Sequence, residues 1–270
     1  MEIIKSFDGT PIAVYKSGSG PKLLLVHGGG ASDQKRWDIA GLRSALAEHF
    51  TVYTFDRRGR GESGDAAEYK LEREFEDAAA VADTIGEAVI LLGHSTGAQI
   101  ALEAALKTST LYKLILYEPV FPIGDFEESY WEYSKQVTSN MQKMVDDGKN
   151  EQALILFLKE LVNLNPAEIE TYRSASDWQD RVRAVHTIPR EEQATADYEF
   201  DAAKFKAITI PTLLLSGSES PPLFKEVTKT VNAALPDSRI VIFEGHGHVA
   251  MNTAPELFVK EVLAFARETN

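Results

Sequence analysis

The pentapeptide Gly93-His94-Ser95-Thr96-Gly97 lies between an apolar run, Ala88-Val89-Ile90-Leu91-Leu92, and a stretch of helical spacing over 98–107. That order predicts a buried strand, a sharp turn and a helix, with one serine hydroxyl lifted above the end of a sheet. Side chains at the flanking positions would collide with the neighbouring strand and helix, so both are glycine, while the serine itself must accept strained backbone angles. A Gly-x-Ser-x-Gly string alone arises by chance in roughly one chain in ten of this length. Its place between a strand and a helix is what gives it weight.

The rest of the chain alternates in the same manner. Residues 3–6 and 12–16 flank Asp8-Gly9 and read as a hairpin. Residues 22–26 form a continuous apolar run of the kind buried on both faces of a parallel sheet. Trp37, Leu42, Leu46 and Phe50 recur at helical spacing, 51–55 is a strand, and Leu71, Phe75, Ala78 and Ala82 share one face of a helix over 70–85. Another strand over 112–117 ends at Glu118-Pro119, strands resume at 209–215 and 239–243, and a helix closes the chain over 255–267. Between them, 120–206 is helical in pattern and rich in aromatics. The expected fold is α/β, with a mostly parallel sheet of about eight strands and helices on both faces, built from 1–119 and 207–270. Residues 120–206 are expected to form a helical cap over the carboxyl ends of the strands, where ligands bind in open α/β sheets.

Composition narrows the function. The net charge of −13 argues against nucleic acid and acidic membrane surfaces as partners. No apolar run approaches membrane-spanning length, and residues 1–5 lack a signal-peptide pattern. With no cysteine, disulfides, thiol catalysis and cysteine-ligated metals are excluded, and a cytoplasmic location is expected. The basic cluster Arg57-Arg58-Arg60, punctuated by Gly59 and Gly61, is read as bracing a turn.

A serine hydroxyl needs a base, and the base needs an orienting group. Late in the chain stands Glu244-Gly245-His246-Gly247-His248-Val249, after a strand and before a proline-led helix. This segment resembles the Gly-x-Gly-His of the α/β-hydrolase superfamily. His27-Gly28-Gly29-Gly30 resembles its His-Gly loop, and Asp56 to Ser63 is similar to its Asp-x-Arg-Gly-x-Gly-x-Ser turn. The resemblance covers nearly the whole chain outside 120–206. It implies the order serine, acid, histidine, with Ser95 as nucleophile, His248 as base and His246 at a variable position. A His246/His248 metal pair has no carboxylate or cysteine partner nearby in sequence, so no metal is expected.

For the oxyanion, the Thr96 amide follows the serine at a helix N-terminus, and the match to the His-Gly loop makes Gly29 the second donor. His27 and His94 are expected to be structural. The acid departs from the commonest pattern, because Gly217-Ser218-Glu219-Ser220 holds serine where many relatives have aspartate. The superfamily's other position for it is the end of the strand before the cap, which Glu118 occupies. A carboxylate ending an apolar strand is costly to bury without a partner. Glu118 is therefore preferred, with Glu219 as the alternative.

Phe121, Phe126, Tyr130, Trp131, Tyr133, Met141, Met144, Trp178 and His186 are the candidates to line the cap, with Phe121, Trp131, Met144 and Trp178 as the expected substrate contacts. The resemblance implies a cofactor-free serine hydrolase that acts through an acyl-enzyme on a small carboxylic ester, thioester or lactone with an apolar moiety. The alternatives are a C–C bond hydrolase or perhydrolase, and a small-ligand binding or signalling protein on the same scaffold. Oligomeric state is left open.

Overall fold

Strands that are apolar at consecutive positions must be covered on both faces, and period-2 alternation splits their side chains between two cores. A computed structural model describes residues 1–124 and 128–268, so Phe126 lies outside the described residues. In β3 (Lys22–Val26), β5 (Val89–His94), β6 (Leu111–Tyr117) and β7 (Thr212–Gly217), the residues Leu24, Val26, Leu91, Leu114, Leu116 and Leu214 point to one core. That core is filled by α2 (Leu71–Ile85), α3 (Thr96–Ala104) and α9 (Pro222–Ala234). Their alternates Leu23, Leu25, Ile90, Leu92, Ile115, Tyr117, Leu213 and Leu215 face the other core, against α1 (Leu42–Ala47), α10 (Ala250–Thr253) and α11 (Pro255–Arg267).

With β1 (Glu2–Lys5), β2 (Pro11–Gly18), β4 (Thr51–Phe55) and β8 (Ser238–Phe243), the sheet is eight-stranded in the order β1-β2-β4-β3-β5-β6-β7-β8. Only the β1–β2 and β2–β4 pairings are antiparallel. The parallel strands from β4 to β8 all end on the same side, where Ser95 follows β5, Glu118 follows β6 and His248 comes after β8.

Two boundaries differ from expectation for identifiable reasons. The helical spacing from Trp37 to Phe50 is not one helix but a 3-10 segment, Gln34–Gly41, followed by α1. The break falls where Ala40 (φ +54°) and Gly41 (φ +71°) take left-handed backbone. Trp37, Leu42, Leu46 and Phe50 are all still buried, so the pattern reports burial that two short turns satisfy. β7 begins at Thr212 instead of residue 209, because Pro211 has no N–H to give the ladder. Its carbonyl still accepts from the Leu114 amide at 3.1 Å.

Between β6 and β7 lie α4 (Glu128–Asp146), α5 (Asn150–Glu160), α6 (Pro166–Arg173), α7 (Trp178–Arg183) and α8 (Thr187–Ala196). They share an apolar cluster of their own that includes Met141, Leu154, Trp178 and Val185. Among the described residues, no helix is long and apolar enough to cross a membrane.

The arginine cluster is buried and paired. Arg58 meets both carboxylate oxygens of Asp77 at 2.7 Å and reaches Asp8 at 3.1 Å. Arg57 binds Glu74 of α2 through two nitrogens, at 2.6 and 2.8 Å, and lies 3.0 Å from Glu191 of α8. Arg60 also pairs with Glu191. Buried ions are tolerated only when so completely matched. The network therefore fixes α8 to the sheet as well as bracing the turn.

A second buried cation closes the chain. Lys113 of β6 is fully buried, and its Nζ donates to the carbonyls of Phe265 (2.7 Å), Ala266 (3.3 Å) and Glu268 (2.7 Å) at the end of α11. Of these carbonyls Phe265 O also accepts the Glu268 amide at 3.3 Å, and a cation suits the negative end of the helix dipole. Lys113→Met keeps the stem but takes the ammonium donor from three carbonyls. We expect a loss of about 1–3 kcal/mol in urea unfolding, with the fraying of α11 visible as faster amide exchange.

Candidate active site

The turn after β5 has the predicted geometry. Ser95 sits at φ +59°, ψ −127°, a region unfavourable for any residue with a side chain. A Cβ on Gly93 would collide with the Gly97 carbonyl, and one on Gly97 with the carbonyls of Val26 and His27. The Ser95 backbone is tied down, its amide donating to Tyr117 O (2.9 Å) and its carbonyl accepting from the Ala98 amide (2.8 Å).

Beside it runs the loop after β3. His27 is fully buried, with Nδ1–H donating to Gly28 O at 2.9 Å and Nε2 accepting from the Arg57 amide at 3.4 Å. Burial, reinforced by Arg57 and Arg60, pushes its pKa well below the usual value and keeps it neutral. The Ser32 hydroxyl lies 3.2 and 3.0 Å from the Gly28 and Gly29 carbonyls, and Arg57 Nη1 donates to Gly28 O at 3.1 Å. Gly29 faces Thr96, since a Cβ there would stand 3.2 Å from Thr96 Oγ1. Thr96 opens α3, so its amide has no carbonyl partner inside the helix.

The structure brings Glu118 and His248 together. Glu118, at φ +45° just past β6, has no exposure to water. Its Oε1 accepts from the Ser216 hydroxyl and the Gly217 amide, both at 2.8 Å, and its Oε2 accepts from His248 Nδ1–H at 2.6 Å. Burial raises its pKa, but the hydrogen bond and charge of His248 and the Gly217 amide outweigh that, and the carboxyl is held below its usual range. Glu219 is exposed and touches Ser218, not the histidine. His246 turns to Thr253.

Three further groups hold His248, and none was singled out for this from sequence. The Tyr117 hydroxyl donates to Gly247 O (2.6 Å) and accepts from the Ala250 amide (2.8 Å), gripping the loop on both sides of the histidine. His94 Nε2–H donates to the His248 carbonyl at 2.8 Å. Phe224 of α9 stacks on the imidazole, centroids 4.0 Å apart and planes within 14°. Tyr117 looked like one more apolar strand residue, and Phe224 carries no motif. Among the described residues, the ring's hydrogen bond goes to Glu118 and none joins it to Ser95.

Ser95, Thr96, His248 and the glycines 28–30 line one cavity of about 510 Å³, closed on the other side by residues of α4–α8. Of the expected substrate contacts, Trp131 lines it, as does Tyr130. Phe121, Met144 and Trp178 do not. Phe121 stacks on Phe200, Met144 packs among the inserted helices, and Trp178 joins that same cluster with its indole N–H on Glu151. Tyr133, Met141 and His186 also lie elsewhere. The apolar wall comes instead from Phe157, Leu158 and Tyr172, with Phe224 at the histidine. Among the described residues, no group of three or more His, Asp or Glu is placed to hold a metal.

Residues 23–261 match the model of the alpha/beta hydrolase family. A solved alpha/beta hydrolase from Sphaerobacter thermophilus superposes with a TM-score of 0.81 at 32% identity, over 98% of this chain and 99% of that one. Among curated relatives, a 2-hydroxymuconate semialdehyde hydrolase of Pseudomonas putida is 26% identical over 95% of this chain and 91% of its own. A pimeloyl-[acyl-carrier protein] methyl ester esterase of Nitrosospira multiformis is 22% identical over 94% and 97%.

Two expectations follow from the geometry. Tyr117→Phe removes the hydroxyl that Gly247 O and the Ala250 amide share, leaving them only their mutual 3.2 Å hydrogen bond. It should cost about 1–3 kcal/mol and speed hydrogen exchange at Ala250 with little change at distant amides. Glu118, whose folded pKa lies below the ordinary 4.5, contributes stability above that pH and loses it as pH falls through the folded value. Thermal unfolding between pH 3 and 6 should therefore show a steeper acid loss for the parent protein than for Glu118→Gln.

Proposed function

Because the chain belongs to the alpha/beta hydrolase family, we propose that it is a serine hydrolase cleaving a small carboxylic ester, thioester or lactone. The observation that carries this reading is the buried Glu118 carboxylate 2.6 Å from His248 Nδ1, on a cavity whose wall also bears the strained Ser95. With Nδ1–H committed to Glu118, Nε2 is the free basic nitrogen of the ring, as proton transfer from a serine requires.

In this mechanism Ser95 Oγ attacks the carbonyl carbon and His248 Nε2 takes its proton. Contacts of this kind often tighten only when substrate is bound, which accommodates the absence of a Ser95–His248 bond. The Thr96 and Gly29 amides hold the developing oxyanion. His248 then protonates the leaving oxygen or sulfur and draws a proton from water, which releases the acid from the acyl-enzyme. Glu118 fixes the tautomer and balances the imidazolium. No step calls for a metal or organic cofactor. In this reading residues 120–206 are the cap, and Trp131, Phe157 and Tyr172 give it an apolar face for the substrate. An ester is also what the name of the Nitrosospira relative specifies.

A fluorophosphonate probe should label the parent protein and not Ser95→Ala. Short-chain aryl esters should be turned over repeatedly, with kcat lower by about 10³–10⁴ in Glu118→Gln and near normal in Glu219→Gln. Near-normal turnover by Glu118→Gln would remove Glu118 from the mechanism. Labelling without turnover would favour a ligand-binding protein.

A further inference from the structure

The cavity wall carries a guanidinium without a counterion. Arg36, on the 3-10 segment Gln34–Gly41, is half-buried and lines the same cavity as Ser95 and His248. Among the described residues its side chain makes no hydrogen bond and no ion pair, although the chain carries 41 carboxylates and only 28 Lys and Arg. The neighbouring arginines are all occupied. Arg57 and Arg60 are held by Glu74 and Glu191, and Arg181, also on the wall, binds Asp177 at 2.8 Å and lies over the Tyr172 ring.

Leaving one cation partly desolvated and unmatched is unfavourable, and that cost is recovered when an anion enters. Burial, with Arg181 adding to it, pushes the Arg36 pKa down against the opposing pull of Tyr172 and Asp177, but an arginine remains charged at any physiological pH. Asp177 favours the charged form of Arg36 only from beyond ion-pair distance and is itself paired with Arg181. Glu192 lines the cavity too, yet burial and then the adjoining Glu191 push its pKa up to about 8, so at neutral pH it is mostly uncharged.

We propose that Arg36 is the subsite for a free carboxylate on the substrate, so that the preferred substrates are esters or lactones carrying a second, unesterified acid group. This rests on the hydrolytic reading of the site. The guanidinium's planar fork suits bidentate pairing with a carboxylate, and the apolar wall accommodates the carbon chain between the two groups. Arg36 then sets which ester is bound and takes no part in bond cleavage.

The test compares matched substrates that differ by one charge. On the acyl side these are p-nitrophenyl hemiglutarate and p-nitrophenyl valerate; on the leaving-group side, 4-acetoxybenzoate and phenyl acetate. At least one charged member should be preferred by the parent protein in kcat/KM by about tenfold or more. Arg36→Gln should erase that preference by about 10- to 100-fold, chiefly through KM, and leave the neutral esters within about threefold. Arg36→Lys should restore part of it, and thermal unfolding of Arg36→Gln should be unchanged or improved, since no partner is lost. Equal use of both members of each pair, or an equal loss on charged and neutral esters in Arg36→Gln, overturns the proposal. If no ester at all is turned over, the hydrolase reading falls, and glutarate titrated calorimetrically decides the subsite alone. Binding to the parent protein but not to Arg36→Gln upholds it, and no binding to either removes it.

Discussion

A carboxylate sealed from water at the tip of an apolar strand has to be met by donors from every side, and Glu118 is so placed. The groups come from three consecutive parts of the sheet: the accepting carboxylate from just past β6, the donors Ser216 and Gly217 from β7, and the donor His248 from the segment after β8. One residue earlier, Tyr117 grips the main chain around His248, while His94 reaches that same segment from the end of β5. The arrangement around the imidazole thus arises from satisfying buried polar groups where strands end. Removing one of these groups takes a partner from its neighbours, which couples them in the way expected of a network at low dielectric.

A second, separate polar network lies under the glycine loop. Arg57 is shared between Glu74 on α2, Glu191 on α8 and the carbonyl of Gly28, so one side chain connects a sheet-flanking helix, an inserted helix and the loop carrying Gly29. Its neighbour His27 is kept neutral by burial and by these same arginines, and so can donate at one nitrogen and accept at the other. The cavity combines this rigid polar floor with an apolar wall drawn from helices that have a core of their own.

What could be read in advance follows from which interactions are local. The apolar runs of β3, β5 and β6 announce strands because both neighbouring layers are apolar, and Gly93 and Gly97 are legible because backbone approach excludes any side chain. The residues from Trp37 to Phe50 show where that reasoning stops: spacing reports which side chains are buried, and a left-handed pair at Ala40 and Gly41 buries them without a continuous helix. Glu118 over Glu219 was argued from the expense of burying a charge, and the pairing with His248 is a contact 130 residues away that no local pattern encodes. Phe224, Lys113 and Arg36 lay beyond reach for a related reason. Stacking on an imidazole, capping a distant helix or lacking a counterion are properties of the assembled surroundings. Trp178 and Met144 were aromatic and thioether side chains in the right segment, but facing inward to the helices instead of outward to the cavity.

The ionic tie through Glu191 also bears on how such molecules diversify. Exchanging the stretch between β6 and β7 for that of a cousin looks like an easy route to new selectivity, since that stretch has its own hydrophobic interior. A graft lacking an acid at this point of α8 would leave Arg57 and Arg60 to share Glu74 alone in a dry interior beneath the loop bearing Gly29. Ancestral recombination and laboratory chimaeras alike must therefore carry the sheet and the α4–α8 stretch as a matched set, or acquire a replacement anion in the same step.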